Sequence, residues 1–458
     1  MKKIFSILAL GGILAAGTVA EAQNTNSGYF LDGYTYRYQL NPAFGGTRNF
    51  VSFPGLGNIN SGINGNLGVS DVLYKRDGRT VLFTNPMVST DEVLGNFPDK
   101  AKFNVNAKIN VISFGFKAFG GYNAFSLNAR VNSHIGLPKS LITLAKEGVN
   151  NSTYDLKDLR ANASGFAEIA LTHSRDIKQV PGLRAGITLK GLIGVAHLDA
   201  RFNSAKLTLN DNNWHAETDA ELYASMPKFQ FETKLNKENQ KYVSGANLDG
   251  DGSFGPNGFG MAVDLGASYR WRDFTFSAAV LDLGWISYKD THYATTHGVR
   301  AVNTDAFTFN VDGDAPNSFS DELDRLADNL EELYQLSDEG NIGKHNGSLG
   351  ATLNVGAEYS LPVYRAVSFG LLSSSYFMGD YSWTEARLSV NFEPCKFFGL
   401  TANGAVGTYG AQFGWLLSLH PRFFNFFIGM DALPTKFAKQ GVPLSSNCRF
   451  NLGINIPF

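Results

Sequence analysis

The sequence predicts an all-β protein: a transmembrane antiparallel up-and-down β-barrel of fourteen strands, or sixteen if a polar hairpin at 205–225 belongs to the wall. Three observations carry that expectation. Long segments alternate apolar and polar residues, the connections between them are long on one side and short on the other, and the composition is unusual. Charged residues make up 17% of the chain, while Gly (49) and Phe (36) are plentiful. Globular proteins carry roughly a quarter charged residues, whereas a wall with lipid on one face needs few charges and many small or apolar side chains.

At the amino terminus, Lys2 and Lys3 precede an apolar run from Ile4 to Ala16, and Ala20 and Ala22 flank Glu21. This is the layout of a cleavable signal peptide over 1–22, which would leave Gln23 first in the mature chain. The run is too short for a spanning helix, and no later stretch approaches the roughly 20 apolar residues that such a helix requires. No Cys stands beside the cleavage site, so a lipid anchor is not expected. The net charge of −2 carries no nucleic-acid signal. From Gln23 to about Asn60 the chain is irregular and rich in Gly, Asn and aromatics, and it reads as an N-terminal luminal or periplasmic segment ahead of a barrel over 61–458.

Extended segments then follow at about 62–75, 102–118, 121–132, 163–175, 184–202, 205–211, 213–225, 258–271, 273–288, 347–360, 365–377, 381–393, 397–409, 411–420, 422–431 and 446–458. In one, Phe259, Met261, Val263, Leu265, Ala267, Tyr269 and Trp271 alternate with Gly260, Ala262, Asp264, Gly266, Ser268 and Arg270. In another, Leu349, Ala351, Leu353, Val355, Ala357 and Tyr359 alternate with Gly350, Thr352, Asn354, Gly356 and Glu358. About 13 residues at roughly 3.3 Å each, tilted by about 45°, span about 30 Å, a bilayer core. Tyr269, Trp271, Trp285, Tyr288 and Trp383 near segment ends fit an interfacial girdle.

In the last segment, Cys448, Phe450, Leu452, Ile454, Ile456 and Phe458 share one face, and Arg449, Asn451, Gly453 and Asn455 the other. Counting back from Phe458 places the long connections 76–101, 133–162, 226–257, 289–346 and 432–445 on one side and short turns on the other. Long outer loops and short periplasmic turns then put both termini in the periplasm. Cys395 falls in a periplasmic turn and Cys448 near the outer surface, too far apart to bridge. If the 205–211 and 213–225 hairpin projects beyond the bilayer, the count is fourteen.

Two loops read as helical, Pro138 to Glu147 and Ser320 to Leu336; in the second, Ser320 is the N-cap and Asp321 and Glu322 fill the first turn. Asn247-Leu248-Asp249-Gly250-Asp251-Gly252 begins a calcium-loop pattern, but position twelve is Gly258 where a bidentate carboxylate is required, so it reads as a polar loop and no metal is expected. His134, His292, His297 and His345 lie in or beside outer loops, yet no spacing among them singles out a catalytic dyad. No catalytic residue, cofactor or cofactor-binding residue is expected. The functional candidates are the polar-face charges Asp264, Arg270, Glu358, Glu385 and Arg387, which should line the lumen and brace it or set its selectivity; charges there must be paired or hydrated.

Asn26-Ser27-Gly28-Tyr29-Phe30-Leu31-Asp32-Gly33-Tyr34, Leu40-Asn41-Pro42-Ala43, Phe53-Pro54-Gly55-Leu56-Gly57-Asn58, the helix after Leu137-Pro138 and Val280-Leu281-Asp282-Leu283-Gly284-Trp285-Ile286-Ser287 give the chain its family likeness. It resembles an uncharacterised family of outer-membrane barrels of Bacteroidota, a domain of unknown function, and more distantly the superfamily of the long-chain fatty-acid transporter FadL. That resemblance implies a fourteen-stranded barrel with Asn41, Pro42 and Ala43 in a hatch inside the lumen. It also implies transport of hydrophobic molecules or, as in related barrels, a part in protein secretion or surface attachment.

The function expected is therefore an integral outer-membrane channel, transporter or binder for small hydrophobic molecules. The alternatives are a structural or interaction barrel whose outer loops dock a partner, and an outer-membrane hydrolase. The expected partners are outer-membrane lipid, periplasmic chaperones and the barrel-assembly machinery, with Phe458 as the assembly signal.

Overall fold

The computed structural model describes residues 25–147, 152–209, 213–235, 239, 241–248, 255–305, 335–433 and 447–458. Fourteen antiparallel staves close on themselves. The first, β1, is split into Phe50–Ser52 and Ile59–Gly65. There follow β2 (Lys100–Ala118), β3 (Gly121–Pro138), β4 (Arg160–Asp176), β5 (Leu183–Leu209), β6 (Gly258–Trp271) and β7 (Phe274–Thr295). Next comes β8, split into Ser337–Ser348 and Ala351–Ser360, then β9 (Val367–Phe377), β10 (Trp383–Cys395), β11 (Phe398–Gly407), β12 (Gly410–Leu419), β13 (Asn425–Ala432) and β14 (Cys448–Pro457). The first and last staves join: Ile59 lies opposite both Ile109 of β2 and Leu452 of β14, and Phe50 opposite Gly115 and Pro457. Closure leaves each of the fourteen described staves paired on both sides, the condition for a sheet to cross a bilayer.

The burial pattern is inverted relative to a soluble protein. Leu189, Met261 and Leu388 are 57%, 60% and 66% exposed, whereas Asn104, Glu168 and Asn451 on the opposite faces are almost fully buried. Such a wall puts its apolar side chains in lipid and its polar ones in the lumen. Among the described residues no helix is long and apolar enough to cross a membrane.

The segment 258–271 alternates as read. In 347–360 the alternation slips, because Gly350 adopts a left-handed conformation (φ 72°). The strand breaks there, and Leu349, expected to face outward, is 7% exposed and packs against luminal residues. A left-handed residue reverses the chain locally, and Gly alone does so without a Cβ penalty.

The first stave also begins earlier than the alternation at 62–75 suggests. Phe50 already pairs on both sides, and residues 66–82 form a four-residue helix, Val69–Val72, and a small hairpin, Leu73–Arg76 with Arg79–Leu82. The interruption at 53–58 hides a strand whose two halves are each too short to show a period.

The polar hairpin lies beyond the apolar belt. There β5 continues to Leu209 and pairs with Asn213–Ser225, which in turn meets the far end of β7 and Arg300–Asp305. A further hairpin, Phe229–Leu235 with Lys241–Leu248, packs Phe229 and Phe231 against Leu198, Leu222 and Met226. The barrel therefore has fourteen strands and a raised rim. The expected helix after Pro138 is present as Lys139–Glu147. Residues 1–24, the 249–254 part of the calcium-like loop, and all but the last two residues of the segment from Ser320 to Leu336 lie outside the described residues. Cys395 sits at a turn-end hairpin opposite Phe398, Cys448 at the loop end opposite Ile63, and both are free thiols.

Candidate functional site

The lumen is occupied by the chain's own leader. Residues 25–49 run through it as three single 3-10 turns, Asn26–Gly28, Arg37–Gln39 and Pro42–Phe44. Four glycines and Pro42 leave no uninterrupted run long enough to hold a helix by itself. Tyr29, Leu31, Tyr34, Tyr36 and Tyr38 are buried against Phe50, Leu372, Leu416 and Phe427.

Hydrogen bonds tie this plug to staves all round the wall. The backbone N–H groups of Asn26 and Ser27 donate to the Asp431 carboxylate at 2.6 and 2.7 Å, and the Asn26 amide donates to Glu385 at 2.9 Å. The hydroxyls of Tyr29, Tyr36 and Tyr38 reach Ser277, Ser113 and Ser126 at 3.1, 2.9 and 2.9 Å. The Asn354 amide donates to the Leu40 carbonyl at 3.1 Å, and the Asp32 and Gly33 N–H groups donate to Glu393 at 3.1 and 3.0 Å. Arg48 straps the exit, donating to the carbonyls of His420, Pro421 and Lys396 at 2.9, 3.0 and 3.3 Å.

Asn41, Pro42 and Ala43 form the third turn. The Asn41 side chain accepts from the Ala43 N–H at 2.9 Å and donates to the carbonyls of Ala267 and Ala278, each at 3.3 Å. This contact requires glycine in the wall. A Cβ on Gly186 would lie 2.3 Å from the Pro42 carbonyl carbon, and one on Gly266 would lie 2.1 Å from Asn41 Oδ1.

Two charge networks flank the plug. In the first, Glu385 pairs with Arg387 at 3.1 Å and with Arg449 at 2.8 Å, and Arg449 approaches Asp431 at 3.9 Å. Arg387 also bonds Asn403, whose amide donates to Ser27 Oγ at 2.9 Å. In the second, Arg130 forks to Glu168 at 2.7 Å and Asp282 at 2.9 Å, while Lys190 bridges Asp264 at 2.7 Å and Asp282 at 2.6 Å. Lys108 completes it, 3.7 Å from Glu168.

The second network depends on a β-bulge. The β6–β7 register slips between Val263 and Leu265, and Asp282 adopts a left-handed conformation (φ 57°). The bulge turns the Asp282 carboxylate into the lumen, and its N–H donates to Asp264 Oδ1 at 2.7 Å. A non-glycine residue in that conformation costs on the order of 1 kcal/mol; bonds to two cations offset it.

Between this network and the plug lies a chamber of about 60 Å³, lined by Asn26 and Leu40 on the plug and by Asn106, Lys108, Arg130, Lys190 and Asp282 among others on the wall. That is room for a few waters or one small ion. Toward the loop end the lumen turns apolar, with Phe166, Leu192, Ala262, Ile286, Tyr288 and Leu349 packed together. Beside that tier the mouth is pinched. His134 of β3 lies 5.7 Å from the Tyr376 ring of β9 and 5.3 Å from that of Tyr381, and Arg160 pairs with Asp380 at 2.5 Å.

Of the lumen candidates, Asp264, Glu385 and Arg387 are buried in these networks. Glu358 is luminal near the turn end, where it accepts from Ser368 Oγ at 2.7 Å. Arg270 is exposed at the turn end, where β6 has run past the plug. Phe458 is exposed, and its N–H donates to the Asn49 carbonyl at 3.1 Å. Lys108, Arg130, Glu168, Lys190, Asp282, Asp431 and Arg449 were not among the candidates, although Arg449 had been placed on the polar face of its strand. All but Asp282 stand in the polar phase of their strands, so the signal was present.

The four loop-side histidines do not converge. His134 Nδ1 bonds Asn104 Oδ1 at 2.9 Å, His292 packs on Phe229, His297 contacts Glu339 at 2.8 Å, and His345 stacks on Tyr223.

A model of a family of unknown function, DUF5723, matches residues 42–431. Solved structures similar to this chain include a deltaS2S3 mutant of the monoaromatic hydrocarbon channel TodX, at 9% identity, TM-score 0.42 and 96% coverage of both chains. The toluene transporter TbuX of Ralstonia pickettii is similar at 8% identity, TM-score 0.40 and 92% of both chains. The P. putida toluene transporter TodX is similar at 9% identity and TM-score 0.38, with 91% of this chain and 90% of that one covered. No curated protein matches the sequence.

Proposed function

Given that the chain belongs to the DUF5723 family, whose function is unknown, we propose that it is an outer-membrane barrel that binds or passes small molecules, hydrophobic ones among them, past its amino-terminal plug. The observation that carries this reading is how the plug is held. Much of its attachment to the wall is hydrogen bonding to polar side chains, and water can replace such bonds at a net cost of about 1 kcal/mol each, or about 1.5–3 kcal/mol where the partner is a carboxylate. A segment held that way can shift without unfolding the wall. The apolar tier of Phe166, Leu192, Ile286 and Leu349 supports a hydrophobic passenger, since a water-filled pore is polar throughout.

In this reading the short-turn end and both termini face the periplasm, and the rim of 197–248 stands outside the cell. The role is not catalytic. A second reading is favoured by that rim, which has a core of its own around Phe229 and Met226: a barrel that docks a surface partner without transport.

One measurement separates the two. Deleting residues 25–48 leaves β1 intact and should raise single-channel conductance in planar bilayers several-fold. Unchanged conductance in a deletion that retains its β-sheet circular dichroism would refute passage past a plug and leave the docking reading.

A further inference from the structure

We propose that the chamber beside the plug binds a small protonated oxyanion, of which inorganic phosphate is the type, on Lys108, Asn106 and Asn132. Three cations line the chamber against one carboxylate, Asp282. Both oxygens of that carboxylate are engaged by Arg130 and Lys190, at 2.6 to 3.0 Å. Glu168, the other carboxylate near Lys108, is 1% exposed and accepts from Asn128 at 2.8 Å and Arg130 at 2.7 Å. Arg130 and Lys190 are thus matched by close carboxylates, and Lys108 is the cation of the set whose nearest carboxylate stands off.

Lys108 differs from the other two cations. Arg130 and Lys190 have carboxylate oxygens within 2.6 to 3.0 Å, but the nearest to the Lys108 ammonium is 3.7 Å away, beyond hydrogen-bond range. It is a buried ammonium whose charge is matched at a distance by Glu168 but whose N–H donors are left to satisfy. Two residues before it on the same face, Asn106 is 2% exposed, and neither its amide nitrogen nor its oxygen has a hydrogen-bond partner. Asn132, also lining the chamber, stands directly opposite on β3.

Buried polar atoms are almost always paired, so a donor and an acceptor left open beside an under-satisfied ammonium specify what belongs there. The occupant carries negative charge for Lys108, an acceptor oxygen for the Asn106 N–H₂, and an O–H for the Asn106 carbonyl. Hydrogen phosphate has all three; acetate and chloride lack the O–H. The chamber of about 60 Å³ has room for a group of that size.

The assignment rests on the plugged chamber of the proposed function but not on passage through it, so its readout is equilibrium binding rather than conductance. Isothermal titration of the full mature barrel in detergent, at constant ionic strength, should show saturable one-to-one binding of inorganic phosphate, weaker binding of acetate and none of chloride. Lys108→Gln and Asn106→Leu should each weaken phosphate binding by about tenfold or more, the value of one charge-assisted hydrogen bond. Lys117→Gln, on an exposed position of the same stave, should not. Absence of saturable phosphate binding in the unaltered protein overturns the proposal. So does undiminished affinity in the Lys108 and Asn106 variants, and acetate binding as tight as phosphate overturns the protonated oxyanion. Far-UV circular dichroism confirms that each variant is folded, and the two substitutions act through different atoms, so a fold defect in one leaves the other decisive.

Discussion

Arg387 is 2% exposed and holds Glu385, Asn403 and the Asp431 carbonyl together. Its aliphatic stem can be replaced, but its charge cannot be removed alone. Arg387→Met leaves Glu385 and Asp431 to a single arginine, Arg449, and breaking one partner of a buried pair costs about 3–5 kcal/mol. Denaturant unfolding in lipid vesicles should show that loss, and the double variant Glu385→Gln/Arg387→Met should recover part of it.

In the rim, beyond the apolar belt, His197 and His345 stack between Tyr288 and Tyr223. Burial pushes the His197 imidazole down to about 3, with His345 adding in the same sense, and burial also lowers His345. An unfolded histidine titrates near 6.5, so between that pH and the folded values the unfolded chain binds more protons and stability falls as pH falls. Asp199 beside them, raised by burial, works in the opposite sense over the carboxylate range; Glu221 and Arg201 pair with each other at 3.0 Å. The thermal midpoint should therefore drop between pH 7.5 and 5, and His197→Phe, which keeps a ring in the stack, should reduce that drop. An equal drop in the variant would assign it elsewhere. At this scale Asp264, Glu385 and Arg387 were legible because period-2 phase fixes the face. Asp282 was not, because its bulge changes the phase at that residue.

At the level of elements, the plug's polar bonds are joined by one close contact, at Asn41 to Ala43, that glycines in the wall permit. Gly186→Ala would drive a methyl into the Pro42 backbone, which has no flexible end to yield. The expected outcome is a wall that still forms but a plug that no longer seats, seen as proteolytic cleavage within 25–49 and conductance approaching that of the deletion. Gly191, where an added Cβ meets nothing within 4 Å, is the matched control. Cleavage and conductance unchanged by Gly186→Ala would remove the seating role. The strands were legible where alternation ran unbroken over ten or more residues, as in 258–271. They were misread where a single residue inverts the phase, as at Gly350, and where a stave is split, as at Phe50–Ser52 and Ile59–Gly65. The plug's three turns leave no periodic trace, since each is a three-residue turn held by tertiary contacts.

For the whole molecule, alternation and the asymmetry of connections were enough to give a closed barrel with long loops at one end. The strand count needed the knowledge of where lipid stops, because a strand such as β5 runs on past the membrane without changing its period. Which end faces outward is a matter for labelling. With Cys395 and Cys448 replaced by serine, an impermeant maleimide added to intact cells should label Lys228→Cys in the rim and spare Lys178→Cys in a short turn. The reverse pattern would invert the proposed orientation.

The plug also constrains how the barrel can be made. Asn26 and Asp431, joined by a 2.6 Å hydrogen bond, are 405 residues apart, and the stave that leaves the plug is the one that meets the last stave. Residues made first thus wait for partners made nearly last, and contacts at such separation are slow to form. Seating of the leader and closure of the joint between β1 and β14 both wait for the carboxy-terminal staves to be made.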